Sequence, residues 1–221
     1  MALNTRNYLI LIQNKMKKLI INSINPLNNL NNLIPNSINF TPWADYKYKP
    51  IVHFTIAHNN KNILLHYTIN EQSMRAKTLE NNGKVWEDSC IECFIMPEND
   101  GIYYNFEFNC IGTKLLAVGN SRHNREFATA DLLDKIIVKS SLNKHIFDEI
   151  KGDFNWEITI KIPVKCFFKH TIKTLINKSF RANFYKCGDE LSTPHYLSWN
   201  NIETINPDFH TPQYFGEICF V

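Results

Sequence analysis

Residues 154–162 read Phe-Asn-Trp-Glu-Ile-Thr-Ile-Lys-Ile. Successive side chains of an extended chain point to opposite faces, so Phe154, Trp156, Ile158, Ile160 and Ile162 make one unbroken apolar face, with Asn155, Glu157, Thr159 and Lys161 opposite. A helix would scatter that set around its axis, whereas a strand gathers it for burial. The segment is read as a strand with one side in a core and the other in water.

The same rhythm extends outward. Short runs rich in β-branched and aromatic residues, punctuated by Asn, Gly, Pro and Asp, predict strands over 51–56, 63–69, 90–96, 103–109, 114–118, 136–140, 180–186, 195–199 and 216–221. Helical periodicity is confined to 142–150 and the turn after Pro163. The layer rule then gives an all-β fold, an antiparallel two-sheet β-sandwich of immunoglobulin or jelly-roll type with few short helices. Residues 22–39 carry eight Asn together with Pro26 and Pro35, a turn-favouring composition. Residues 1–39 are therefore taken as an N-terminal extension and loop-rich lead-in, and 40–221 as the domain. Met16 offers an alternative start.

Hydrophobic residues make up 44% of the 221, with 15 Phe and 9 Tyr, enough to fill a core without metals or disulfides. The 24 basic and 21 acidic residues are interspersed, which excludes a nucleic-acid footprint. No apolar run is long enough to span a membrane, and 8–12 is too short for a secretory core. The expectation is a cytoplasmic protein. Its six cysteines show no framework spacing and are read as reduced thiols. Cys90 and Cys93 form a C-x-x-C, but inside a strand they point to opposite faces, so they do not share a zinc ion.

The alternation also assigns faces. In 103–109, Tyr104, Phe106 and Phe108 point inward and Asn105, Glu107 and Asn109 outward. In 180–186, Arg181, Asn183 and Tyr185 point out, and in 90–96 Glu92 does. A solvated outer face would account for them. Planar amides, carboxylates and guanidinium groups, however, are also what pairs of hydroxyls require. A sugar needs such an equator of polar groups together with flat aromatic walls, and Trp86 and Phe209, in loop-like surroundings, could supply the walls.

Three stretches carry a resemblance: VWEDSCIECFIMPENDGIYYNFEFNCIG (85–112), FRANFYKCGDELSTPHYLSWN (180–200) and PDFHTPQYFGEI (207–218). In this order they resemble the family-9-type carbohydrate-binding modules of the DOMON-like β-sandwich group, over roughly residues 40–221. The resemblance implies non-catalytic binding of the terminal sugar of a glucan or xylan chain between two aromatic rings. Trp86 then matches the first wall and Phe209 the second, usually Trp. Glu92 matches a hydroxyl-binding glutamate and Asn206 a ligand-binding asparagine. Glu107 stands where an arginine is expected, and Thr193 or its neighbours replace a second one. Arg181 and His195 are candidates to restore the missing donors, and His210 is peripheral. Trp156 and Trp199 are assigned to the core. Calcium accompanies some such modules, and Glu98 and Asp100, in a turn, are its candidate ligands. The partners implied are an oligosaccharide or sugar and, beyond it, a glycoside hydrolase.

Two other readings stay open on the sequence. Glu92 and Glu107 could be the carboxylate pair of a glycoside hydrolase. Met74, His53 and His66 could serve as axial ligands of a haem-binding member of the same group.

Overall fold

The computed structural model describes residues 16–24, 30 and 32–221, so the 1–15 extension lies outside the described residues. Strands in chain order are β1 (Lys18–Ile21), β2 (Asn36–Ser37), β3 (Ile51–His58), β4 (Asn62–Ala76), β5 (Cys90–Met96), β6 (Tyr103–Asn109), β7 (Lys114–Ser121), β8 (Asn124–Phe127), β9 (Ile137–Ser140), β10 (Phe147–Pro163), β11 (Lys178–Cys187), β12 (Tyr196–Ser198) and β13 (Gly216–Phe220). The larger sheet has the order β1-β13-β11-β5-β6-β7-β8, with β12 also paired to β11, and the smaller has the order β2-β3-β4-β10-β9. Both are antiparallel except for the β1–β13 pair. The expected sandwich is the observed one.

Its core is made of the apolar faces read from the sequence. Trp156, Ile158, Ile160 and Ile162 of β10 meet Ile91, Cys93 and Ile95 of β5, Tyr104, Phe106 and Phe108 of β6, and Phe180, Ala182 and Phe184 of β11 in one buried cluster. Phe54 of β3 stacks on Phe184 across the interface with centroids 4.2 Å apart. Each such fully buried aromatic contributes about 2–3 kcal/mol by removal of its surface from water. Trp199 belongs to the same cluster, as expected.

Three expectations differ. The helix expected over 142–150 does not form; β10 begins at Phe147 instead, because the long β4 supplies partners there, Phe147 opposite Ala76 and Ile150 opposite Met74. Pairing with a strand already in place outweighs local propensity. β1 and β2 arise inside the stretch read as lead-in, and Ile21 and Leu30 are buried, so the sandwich begins before residue 40. Finally, the outer face of the larger sheet is not solvated. A second cluster, including Trp43, Val85, Phe94, Tyr103, Tyr185, Phe209, Tyr214 and Phe215, lies over it, so all residues of β5 and β6 are buried. Loops form this third layer, and alternation within strands carries no sign of it.

Candidate functional site

The loop layer leaves an opening over β5 and β6. It is a pocket of about 550 Å³ including its mouth, lined by Trp86, Glu92, Glu107, Arg122, Arg125, Cys187, Asp189, Tyr196 and the run from Pro207 to His210. Its floor is the strand pair itself. Glu92 and Glu107 are directly opposite each other across β5 and β6, which puts both side chains on the same face.

The floor is electrically unusual. Glu92 and Glu107 are 4% and 3% exposed, and two carboxylates side by side in a dry place resist carrying two charges. Burial pushes the Glu107 carboxyl up to about 7. Burial, and then the neighbouring Glu107, push Glu92 well above the usual carboxylate range. Asn105 Nδ2 donates to Glu107 Oε1 at 2.6 Å and Cys187 Sγ donates to Glu92 Oε1 at 3.1 Å. Glu107 Oε2 and Asn105 Oδ1 are buried with no hydrogen-bond partner among the described residues. An orphaned buried oxygen costs about 1–3 kcal/mol, which a ligand hydroxyl would offset. A protonated carboxyl donates and an ionised one accepts, so the pair matches hydroxyls that do both.

Trp86 stands half-buried at one side of the pocket on a 3-10 turn, Val85–Glu87. The turn is fixed from below by Asp88, the next residue. Its buried carboxylate accepts from Arg75 Nη1 (3.0 Å), the backbone N–H of Lys77 (2.9 Å) and Thr78 (3.0 Å), and Asn109 Nδ2 (3.0 Å). Asp189 N–H donates to Trp86 O at 3.1 Å, tying the turn to the loop after β11. Burial pushes the Asp189 carboxyl up to about 6.

Phe209 is held on the far loop by rings. It stacks on Tyr185 with centroids 4.1 Å apart and planes 9° from parallel, and Trp43 and Tyr196 press on it at 5.9 and 6.0 Å. His210 shares a hydrogen bond with Tyr103 Oη at 2.9 Å. Burial, with Arg125 and Arg122 nearby, pushes its imidazole down to about 3, so the ring is neutral at physiological pH.

Of the expected site residues, Trp86, Glu92, Glu107, Phe209 and His210 come together in this pocket, and four do not. Asn109 is committed to structure: its Nδ2 donates to Thr78 O and Asp88 Oδ2, and its Oδ1 accepts from Thr113 N–H. Arg181 Nη2 donates to the Gln213 and Phe215 carbonyls and so anchors the last loop. His195 lies on the opposite side of the larger sheet, where its Nε2 accepts from Lys186 Nζ at 2.8 Å. Burial and that ammonium keep it neutral. Asn206 is exposed, in a turn closed by Thr204 Oγ1 donating to its carbonyl, and Asp208 takes the place beside Phe209.

The guanidinium groups come instead from the β7–β8 hairpin. Arg122 and Arg125 both line the pocket, and Arg125 Nη1 lies 3.9 Å from Glu107 Oε1. Sequence reading missed them, along with Cys187, Asp189, Tyr196, Pro207 and Asp208. The visible signal was Ser-Arg-His-Asn-Arg, two arginines three apart in a turn-forming stretch.

Glu98 and Asp100 lie elsewhere, in the β5–β6 turn, beside His170. Asp100 Oδ1 accepts from Ile102 N–H at 3.0 Å and its Oδ2 faces His170 Nε2 at 3.1 Å. Calcium takes six to eight oxygens. This turn brings two carboxylates and an imidazole, a donor set that does not fit it.

The sequence model described as carbohydrate-binding family 9 matches residues 22–220. A solved structure from Bacteroides uniformis, described as a candidate carbohydrate-binding protein, is 40% identical, with a TM-score of 0.89 over 93% of this chain and 100% of that one. A family 9 carbohydrate-binding module from Caldicellulosiruptor kristjanssonii in complex with glucose has a TM-score of 0.62 at 12% identity, over 93% of this chain and 96% of that one. With cellotriose the values are 0.63 and 12%, over 92% and 93%. At that identity the likeness is one of fold. No curated protein matches the chain.

Proposed function

The chain belongs to carbohydrate-binding family 9, and from that premise we propose that its pocket holds the terminal residue of a short glucan-type saccharide between Trp86 and Phe209, breaking no bond. One observation carries the reading: two aromatic residues from distant segments line the same opening, and its floor is a pair of buried carboxyls. A pyranose offers weakly polar C–H faces and an equator of hydroxyls. The rings take the faces, Glu92 and Glu107 take hydroxyls pointing down, and Arg122, Arg125 and Asp189 take those at the rim.

The floor favours an end of the chain over its middle. A ring entering from the mouth stops at β5 and β6, so further residues of the oligosaccharide project back toward solvent. The modules solved with glucose and with cellotriose share this sandwich, which makes those two sugars the first ligands to test. Phe209 in place of the usual Trp gives less stacking area, and guanidinium groups arriving from the β7–β8 hairpin present a different hydroxyl pattern. Both point to a ligand preference of this chain's own.

Glu92 and Glu107 do not support hydrolysis. Glycosidases place their two carboxyls on either side of the scissile bond, whereas these sit side by side on one sheet face and meet a ligand from the same direction.

Calorimetric titration with glucose, cellobiose and cellotriose tests the reading. Dissociation constants between roughly micromolar and millimolar, as such small wet sites give, and changing less than about tenfold with chain length are expected. A steep gain with every added residue would mean a groove that binds along the chain and would refute the end-on pocket.

A further inference from the structure

Cys90 and Cys187 are directly opposite each other on β5 and β11, and Glu92 follows Cys90 by two residues on the same face of β5. Two thiols and a carboxyl thus converge from two adjacent strands, and their donor atoms all lie within 4.8 Å of one another. All three residues are at least nine-tenths buried. Cys93, the other half of the C-x-x-C, points into the core between the sheets, so Cys90 finds its partner far along the chain.

We infer that Cys90, Cys187 and Glu92 form a three-ligand site for a thiophilic divalent cation of the zinc class, with its fourth position open to the pocket. Zinc takes thiolates at about 2.3 Å and carboxylate oxygens at about 2.0–2.2 Å in a tetrahedron. Donors on such a tetrahedron lie within about 4 Å of one another, so small rotamer changes close the set. Cys187 and Glu92 line the pocket, which provides the entry path and leaves room for water or a ligand hydroxyl as the fourth donor.

The electrostatics favour a cation there. Glu107 and Asp189 add carboxyls beside the three donors. Among the described residues the one polar hydrogen donated to the Glu92 carboxyl comes from the Cys187 thiol, and thiols are weak donors. Binding balances as follows: each thiol gives up its proton and coordinates as thiolate, and two thiolates neutralise the divalent charge. Glu92 loses its proton to bind through one oxygen, and the remaining negative charge faces Arg122 and Arg125. Binding therefore releases protons to solvent. A disulfide between the opposed cysteines would need no third donor; the carboxyl 3.1 Å from Cys187 Sγ is what points to a metal.

The test is a cobalt(II) titration of the full chain under a phosphine reductant, read as thiolate-to-cobalt charge-transfer absorption, followed by displacement with zinc. It needs no sugar, so its failure leaves the carbohydrate reading untouched. The inference expects one cobalt per chain, a band abolished by zinc and lost in Cys187→Ser and in Cys90→Ser, and a band retained in Cys93→Ser. No band in the wild-type protein overturns it whatever the variants do. So does a band lost in Cys93→Ser as fully as in Cys187→Ser, or a Cys90–Cys187 disulfide that survives the reductant.

Discussion

Glu107, which lines the pocket, shows how a residue proposed to bind can cost the fold that carries it. The ordinary carboxylate value of 4.5 rises to about 7 in the folded protein, so between those values the native state holds a proton that the unfolded chain has released. Its contribution to stability therefore falls as pH rises through that window and levels off above it. Such a displacement corresponds to about 3 kcal/mol at most. Glu107→Gln, which keeps an oxygen for Asn105 Nδ2, is expected to raise stability at pH 7.5 by up to about that amount and to change it little at pH 4, measured by urea unfolding at both. The same variant should bind sugar more weakly, because its amide cannot release the proton that a donating hydroxyl displaces. Glu92, Glu107, Trp86 and Phe209 were legible in the sequence because their side-chain types and their motif positions coincide. Arg181, His195 and Asn109 were misread because alternation tells which face a side chain occupies but not what already fills it: carbonyls for Arg181, a buried lysine for His195, and the Asp88 clamp for Asn109.

At the scale of elements, the β7–β8 hairpin carries the chemistry that the strands lack. Gly119 lies beside its register shift, and a Cβ built there would come within 2.0 Å of Asn124 O. Only a residue without a side chain lets the two strands approach that closely. Gly119→Ala should displace β8 and with it Arg122 and Arg125, lowering sugar affinity in calorimetry even where circular dichroism still shows the sandwich. Arg125→Ala isolates one guanidinium group. A hydrogen bond from a charged donor contributes about 1.5–3 kcal/mol, so affinity should fall about tenfold to a hundredfold while the thermal midpoint moves little. Neither arginine was legible from periodicity, since Arg122 sits in the turn and Arg125 in β8, a four-residue strand too short and too polar to show alternation. The strands themselves were, with the exceptions of β1, β2 and β8, which are too short or too rich in Asn and charge to announce themselves.

For the molecule as a whole, the two-sheet core followed from alternation, whereas the loop layer over the larger sheet did not. That layer makes a pocket out of what would otherwise be a flat polar face. The core also encloses a charge cluster. Lys186 pairs with Glu71 at 2.8 Å with both side chains fully buried, and Trp156 Nε1 donates to Glu71 Oε1 at 2.7 Å. Removing one partner of a buried pair strands the other. Lys186→Ala should therefore lower stability by about 3–5 kcal/mol in denaturant titration, without touching the pocket. No helix among the described residues is long and apolar enough to cross a membrane.

The account rests on Trp86 and Phe209 admitting one sugar ring between them, and a paired calorimetric titration of glucose into wild-type protein and Trp86→Ala reaches that claim most directly. The half-buried indole lines the opening and packs only on the edge of the loop-layer cluster, outside the core between the sheets, so the variant should stay folded with its thermal midpoint lowered by a few degrees at most. Its affinity should drop at least about tenfold, in line with the loss of one stacked face at roughly 1.5 kcal/mol. Equal affinities in the two proteins, or no heat from glucose or its oligomers in the wild type, would contradict it.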